Sequence, residues 1–284
     1  MSPPLPPEIL DLIVDNLRTE PTTLKACCLV SKSWVPRIRR RLFASVRFDS
    51  KSAVKSWKEL FPDPSTSPVC HARILEISGH SATTAVNRGA RAWIQSFRHV
   101  VELRLSAEWW SAGRRVSITK LRGLSPTLKS LHLCNGPLLG IFDLICSFPL
   151  LEDLSLHHCG FGDEIDRWNP PSTSPKLTGT LSLGGANIYL ANGLLRFPSG
   201  LHFSRITILR CPENTESTME LISKCSDTLE SLRVLQGLSC MFPPVPAIDR
   251  YLLLSSVQFT SPRHFLSTFP NTRNSKTWHL VLVV

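Results

Sequence analysis

Leu128-Lys-Ser-Leu-His-Leu133 and Leu151-Glu-Asp-Leu-Ser-Leu156 repeat one short pattern, apolar-x-x-Leu-x-Leu. Its alternation suits a strand with one buried face and one wet face. The pattern returns at Val100-Val-Glu-Leu-Arg-Leu105, Phe203-Ser-Arg-Ile-Thr-Ile208 and Leu229-Glu-Ser-Leu-Arg-Val234, and more loosely around Leu181-Ser-Leu183. With Leu103, Leu131, Leu154, Leu181, Ile206, Leu232 and Val257 as anchors, the numbering advances by 28, 23, 27, 25, 26 and 25. A unit this small cannot hide its apolar face alone, so a repeat of this period predicts stacked units that each contact only their neighbours.

Between the anchors, Val86, Ala90, Trp93, Ile94 and Phe97 fall at helical spacing, as do Leu138, Phe142 and Ile145, and Met219 with Ile222. A helix is therefore expected ahead of each strand. Phe148-Pro149 and Phe197-Pro198 precede the next strand, where proline ends the helix and phenylalanine can fill the space between units.

This arrangement resembles the leucine-rich repeat. The resemblance implies an α/β fold over residues 46–284: a curved solenoid with a parallel sheet on the concave side and helices on the convex side. The concave strand positions flank the anchors, and the candidate target surface comprises Arg104, His132, Asp153, Ser155, Arg205, Thr207 and Arg233. Cys159 and Cys211 match the Asn or Cys position of such repeats, which implies buried packing at a turn. The turn-rich segment 160–176 reads as a loop, in which Trp168 either contacts a partner or tucks back on the scaffold. At the other end, Trp278-His-Leu-Val-Leu-Val-Val284 reads as an edge strand without a polar cap, so a truncated or irregular end is expected.

The first 45 residues read differently. Ile9, Leu10, Ile13, Val14 and Leu17 recur at helical spacing behind Pro6 and Pro7, predicting a helix from about Pro7 to Leu17. Thr22 or Thr23 can cap a second helix and Ser31 or Ser33 a third, with Trp34, Ile38 and Leu42 on one side. Three helices this short bury little surface, and a domain of about 40 residues usually needs a metal, a disulfide or a partner. No cysteine pattern supplies the first two.

The run Leu5-Pro-Pro-Glu-Ile-Leu-Asp-Leu-Ile-Val-Asp-Asn-Leu17, followed by Leu24-Lys-Ala-Cys-Cys-Leu-Val-Ser-Lys-Ser-Trp34, resembles the F-box, and the chain is identified as a member of the F-box/leucine-rich-repeat receptors. That resemblance implies binding to the Skp adaptor of SCF-type cullin-RING ubiquitin ligases. Matching motif positions puts Leu5, Pro6, Ile9, Leu10, Ile13, Leu17, Leu29, Val30 and Trp34 at or just under the adaptor interface. It implies a substrate receptor rather than an enzyme. The alternatives are a non-degradative scaffold and a nucleic-acid-binding solenoid.

Composition frames these expectations. The chain has 284 residues, 42% hydrophobic and 8% aromatic, with a formal net charge of +10. Much of the charge lies in Arg37, Arg39, Arg40, Arg41 and Arg47, which suits nucleic acid, an acidic protein or simple solubility. No aromatic platform accompanies them, which disfavours nucleic acid. Nine cysteines without a C-x-x-C pair, and no N-x-S/T acceptor, favour a cytoplasmic or nuclear setting with free thiols. No basic segment leads into an apolar run at the N-terminus, and no stretch approaches the roughly 20 apolar residues of a membrane span.

His157-His158-Cys159 is the one local cluster resembling a metal or nucleophile site, followed by Asp163, Glu164 and Asp166. Neighbouring strand residues point to opposite faces, so the two histidines are not expected to converge on one ion. Gly184-Gly185 lacks the Gly-Lys-Ser/Thr of a phosphate loop. No catalytic residue, cofactor or metal is expected.

Overall fold

The computed structural model describes residues 6–17, 20–63, 67–79, 95–106, 116–117, 121–122, 124, 126–134, 138–159, 168–171, 174–185, 188–209, 216–235, 256–258 and 280–283. Of the expected features, Leu5, the stripe from Val86 to Ile94, Cys211, the acidic residues at 163, 164 and 166, and Trp278 lie outside these.

Three short helices open the chain: α1 (Pro7–Asn16), α2 (Pro21–Cys27) and α3 (Val35–Leu42). Proline stands in the first turn of each, where its missing N–H costs nothing, and Glu8 sits at the positive end of α1. The threonine and serine caps expected for α2 and α3 are absent. Glu20 and Trp34 occupy the N-cap positions without a side-chain bond, Thr23 donates to Glu20, and the Ser31 and Ser33 hydroxyls bond each other. The proline-set φ begins these helices instead. Val14, Leu24 and Ile38 form a core flanked by the half-buried Leu17, Cys27, Cys28, Trp34 and Leu42. Arg37 pairs with Asp11 at 2.5 Å and donates to the Pro7 carbonyl, and Arg41 pairs with Asp15, so α3 is tied along α1.

The remainder is a strand-and-helix stack. Its elements are β1 (Ser45–Phe48), α4 (Lys51–Leu60), a 3-10 turn (Pro68–His71), β2 (Ile74–Ser78), β3 (Glu102–Ser106), β4 (Val116–Ser117), β5 (Ser130–Cys134) and β6 (Leu138–Leu139). There follow α5 (Ile141–Cys146), β7 (Asp153–His157), β8 (Leu177–Gly184), α6 (Ile188–Leu195), β9 (Leu201–Leu209), α7 (Glu216–Lys224), β10 (Ser231–Leu235), β11 (Ser256–Gln258) and β12 (Leu280–Val283).

Ten strands make one sheet in the order β1-β2-β3-β5-β7-β8-β9-β10-β12-β11, with every neighbouring pair parallel except β12 and β11. The anchors align in one row across the sheet: Leu75, Leu103, Leu131, Leu154, Leu181, Ile206 and Leu232. A second buried row lies two residues on, from Ile77 and Leu105 to Ile208. Both rows pack with Ile141, Leu144 and Ile145 of α5, Leu190 and Leu194 of α6, and Leu221 and Ile222 of α7 in a single core. One face of the sheet is thus covered by helices, and the other carries the polar rows.

Three expectations are corrected. Val257 is not the next anchor: β11 runs antiparallel on β12, and Leu280 takes the place beside Leu232. The four apolar residues Leu280 to Val283 offer β10 a better partner than the lone apolar Val257 between two polar residues. That run is therefore internal to the sheet, and the edge is β11. Leu138 belongs to β6, paired with β4, and the helix begins only at Ile141. Most of the loop expected at residues 160–176 lies outside the described residues, and its Trp168 tucks back on the scaffold, packing on Phe142 and Phe197 at centroid distances of 4.9 and 5.3 Å and donating to Asp143 at 3.0 Å.

Candidate functional site

Two surfaces stand out. On the three-helix unit, Leu29 is 89% exposed, Val30 69%, Leu12 59% and Ile9 44%, four of the six large exposed hydrophobic side chains among the described residues. Leu29 and Val30 occupy the turn after α2, held by backbone bonds from their N–H groups to Ala26 and Cys27. Ile9 and Leu12 are three apart on α1 and so share a face. Large apolar side chains left exposed on so small a unit mark a candidate contact surface.

The other sequence-selected residues of this unit divide by burial. Leu10 is only 7% exposed and belongs to the interior, Pro6 is exposed, and Ile13, Leu17 and Trp34 are half-buried. Leu12 was not singled out from the sequence, although it is one of the exposed apolar residues of α1.

The second surface is the uncovered face of the sheet. Its middle row runs Arg47, Glu76, Arg104, His132, Ser155, Ser182, Thr207, Arg233 across successive strands. The row below it holds Glu102, Ser130, Asp153, Thr180, Arg205 and Ser231. All seven residues selected as the target surface therefore lie in these two rows.

Charge is handled differently at the two ends. At the β1 end, Arg47 pairs with Glu76 at 3.4 Å, Arg104 donates to Glu102 at 2.6 Å, and His132 Nε2 lies 3.3 Å from Glu102 and 3.1 Å from the Ser130 hydroxyl. Burial pushes His132 below the ordinary histidine range, with Arg104 in the same direction and Glu102 and Asp153 opposing. A neutral imidazole makes the Glu102 contact a hydrogen bond, not an ion pair. At the β10 end, Arg205 and Arg233 are exposed and carry no ion pair or side-chain hydrogen bond among the described residues.

A further row on this face holds Ser106, Cys134, His157 and Gly184. The Nε2 of His157 meets the Ser182 hydroxyl at 3.1 Å, and the ring lies across β8 where a Cβ on Gly184 would stand 2.1 Å from Nδ1. Only glycine leaves that space, which gives Gly184 a packing role. Burial, then the charges of His158 and His132, hold His157 below the usual range. His158 follows the end of β7 in the left-handed region, with φ at +51°, and its ring lies beside Gly185. Cys159 is buried, its Sγ 3.6 Å from the Leu133 carbonyl, and burial pushes its thiol up to about 12. A thiol so held stays protonated and is a poor nucleophile. No group of three or more metal-ligating side chains occurs among the described residues, and no helix among them is long and apolar enough to cross a membrane.

Comparison of the chain with protein-family models, curated proteins and solved structures finds no match.

Proposed function

We propose that this chain is a non-catalytic substrate receptor: the three-helix unit, an F-box, docks on the Skp adaptor of an SCF-type cullin-RING ubiquitin ligase, and the polar face of a leucine-rich-repeat solenoid holds a protein target in the cytoplasm or nucleus. Ubiquitin transfer would follow from proximity to a loaded enzyme carried by other subunits, which raises effective concentration without a reactive group here. The observation that carries the reading is the exposure of Leu29 and Val30, which fall inside the F-box-like run, on a unit whose fully buried core cluster is only three side chains. A bundle so small gains from covering that surface.

The test uses Leu29→Asp/Val30→Asp, since an aspartate at the buried Leu10 would unfold the unit and confuse the result. Covering an exposed leucine or valine contributes about 1.5 to 3 kcal/mol each, so the double variant loses at least a hundredfold in affinity for purified Skp adaptor at unchanged helical circular dichroism. Equal capture of variant and parent would remove the F-box assignment. Capture of adaptor without cullin would turn the reading to a scaffold that does not support degradation.

A further inference from the structure

Resting on the reading that the polar sheet face holds the target, we infer that its β9–β10 end is the recognition patch, and that it takes an extended acidic protein segment with carboxylates on alternate residues. The register places four side chains at the corners of a square. Arg205 stands beside Ser231, and Thr207 stands beside Arg233. The two arginines therefore occupy one diagonal and the two hydroxyls the other. With strands about 4.8 Å apart and about 6.6 Å between alternate residues, the arginine diagonal spans about 8 Å at Cα. Carboxylates on alternate residues of an extended chain are about 7 Å apart, so each can meet one guanidinium in the two-pronged geometry arginine favours. Thr207 and Ser231 lie between them, placed to donate to the segment's carbonyls, and Thr180 and Ser182 continue the hydroxyl surface onto β8.

The rest of the face argues for this end. Arg47 and Arg104 are spent on Glu76 and Glu102 of the same face, and an incoming carboxylate there would compete with a fixed one. At Arg205 and Arg233 no such competitor exists among the described residues. The nearest acid along the row of Arg205 is Asp153, two strands away, so an acidic segment is set in place across β9 and β10 and discouraged from sliding toward β7. The chain's net charge of +10 adds long-range attraction for it.

The experiment titrates the full chain with fluorescent decapeptides at low salt, one carrying an Asp-Val-Asp centre, one Asn-Val-Asn and one with phosphoserines in those positions. Arg205→Ala/Arg233→Ala is expected to weaken the Asp-Val-Asp peptide about tenfold, from two partly screened pairs. Arg47→Ala/Lys129→Ala, which removes the same charge elsewhere, should leave its affinity within about twofold, and the Asn peptide should not bind. Absence of Asp-Val-Asp binding, equal weakening by the two double variants, or binding of the phosphoserine peptide alone would overturn the proposal. Skp adaptor capture on the same variants separates the two readings: it should be unchanged by Arg205→Ala/Arg233→Ala, and its loss in the parent protein would sink the docking assignment while leaving peptide binding to be judged on its own.

Discussion

Truncating Leu154 to alanine tests the central geometry. Leu154 is 1% exposed, in the middle of the sheet, between Leu131 and Leu181 in the same row and against the helix layer. Removing three carbons there loses transfer free energy and leaves a cavity that the parallel strands on either side cannot close, a combined cost of about 3 to 4 kcal/mol. Leu232 holds the same row position on β10 but is only partly buried, so its truncation should cost about 1 to 2 kcal/mol. Ser155, one residue from Leu154, faces the polar side, and its change to alanine should stay within about 0.5 kcal/mol. Urea denaturation followed by circular dichroism reads all three as shifts of midpoint at constant slope. A cost below about 1 kcal/mol for Leu154→Ala, or an equal cost for Ser155→Ala, would refute the assignment of faces.

Gly184→Ala drives a Cβ into the His157 ring, so the ring must leave Ser182 and stability falls by about 1 to 2 kcal/mol; in a His157→Ala background the same change should become neutral or stabilising by about 0.5 kcal/mol, and additivity in that double-mutant cycle would contradict the packing role. Stability should also fall between pH 7 and 5: the unfolded histidines take up protons near pH 6.5, whereas burial holds folded His132 and His157 below that. The contribution is complete above the unfolded value and is lost as pH drops through the folded ones. His132→Gln/His157→Gln should flatten the urea midpoint between pH 7.5 and 5.5, and an unchanged slope would exclude these two groups.

The sheet was legible because its signal is local. Each anchor leucine announces its own strand, and the period tells that the strands stack, so register followed from numbering from Leu103 through Leu232 without any long-range information. It failed at Val257 because pairing with β10 is a competition between segments distant in sequence. Spacing cannot rank Ser256-Val257-Gln258 against Leu280 to Val283. The same limit explains Trp168. Its anchoring by Phe142, Phe197 and Asp143 depends on two neighbouring units being stacked, and nothing within residues 160–176 encodes it. At the candidate surfaces, periodicity placed the two polar rows correctly, but it could not tell which arginines are spent. Glu102 and Arg104 flank one anchor on the same strand, and only the structure shows them paired. The lack of a counterpart for Arg205 and Arg233 appears only when the strands are laid side by side.

How the two surfaces relate is fixed by the joint between them. Only Phe43 and Ala44 separate α3 from β1, and the Ala44 carbonyl accepts from both Arg73 and Ile74 at the start of β2. Phe43 and Phe48 contact the edge of Trp57 on α4 at 6.0 and 5.7 Å, and Phe97 packs on Phe48 from the next unit. Trp57 holds the one buried side-chain nitrogen or oxygen among the described residues that lacks a hydrogen-bond partner, a cost accepted for filling this corner with aromatic area. The helical unit therefore enters the sheet through a packed corner, not a flexible linker, and α3 cannot swing without breaking backbone bonds to β2. From β1 to β9 there are six strand steps, or about 29 Å along the sheet at 4.8 Å each. In the receptor reading, that count of strands is what sets the separation between the docking surface and the arginine square, so each inserted or deleted repeat would move the cargo by about one strand spacing.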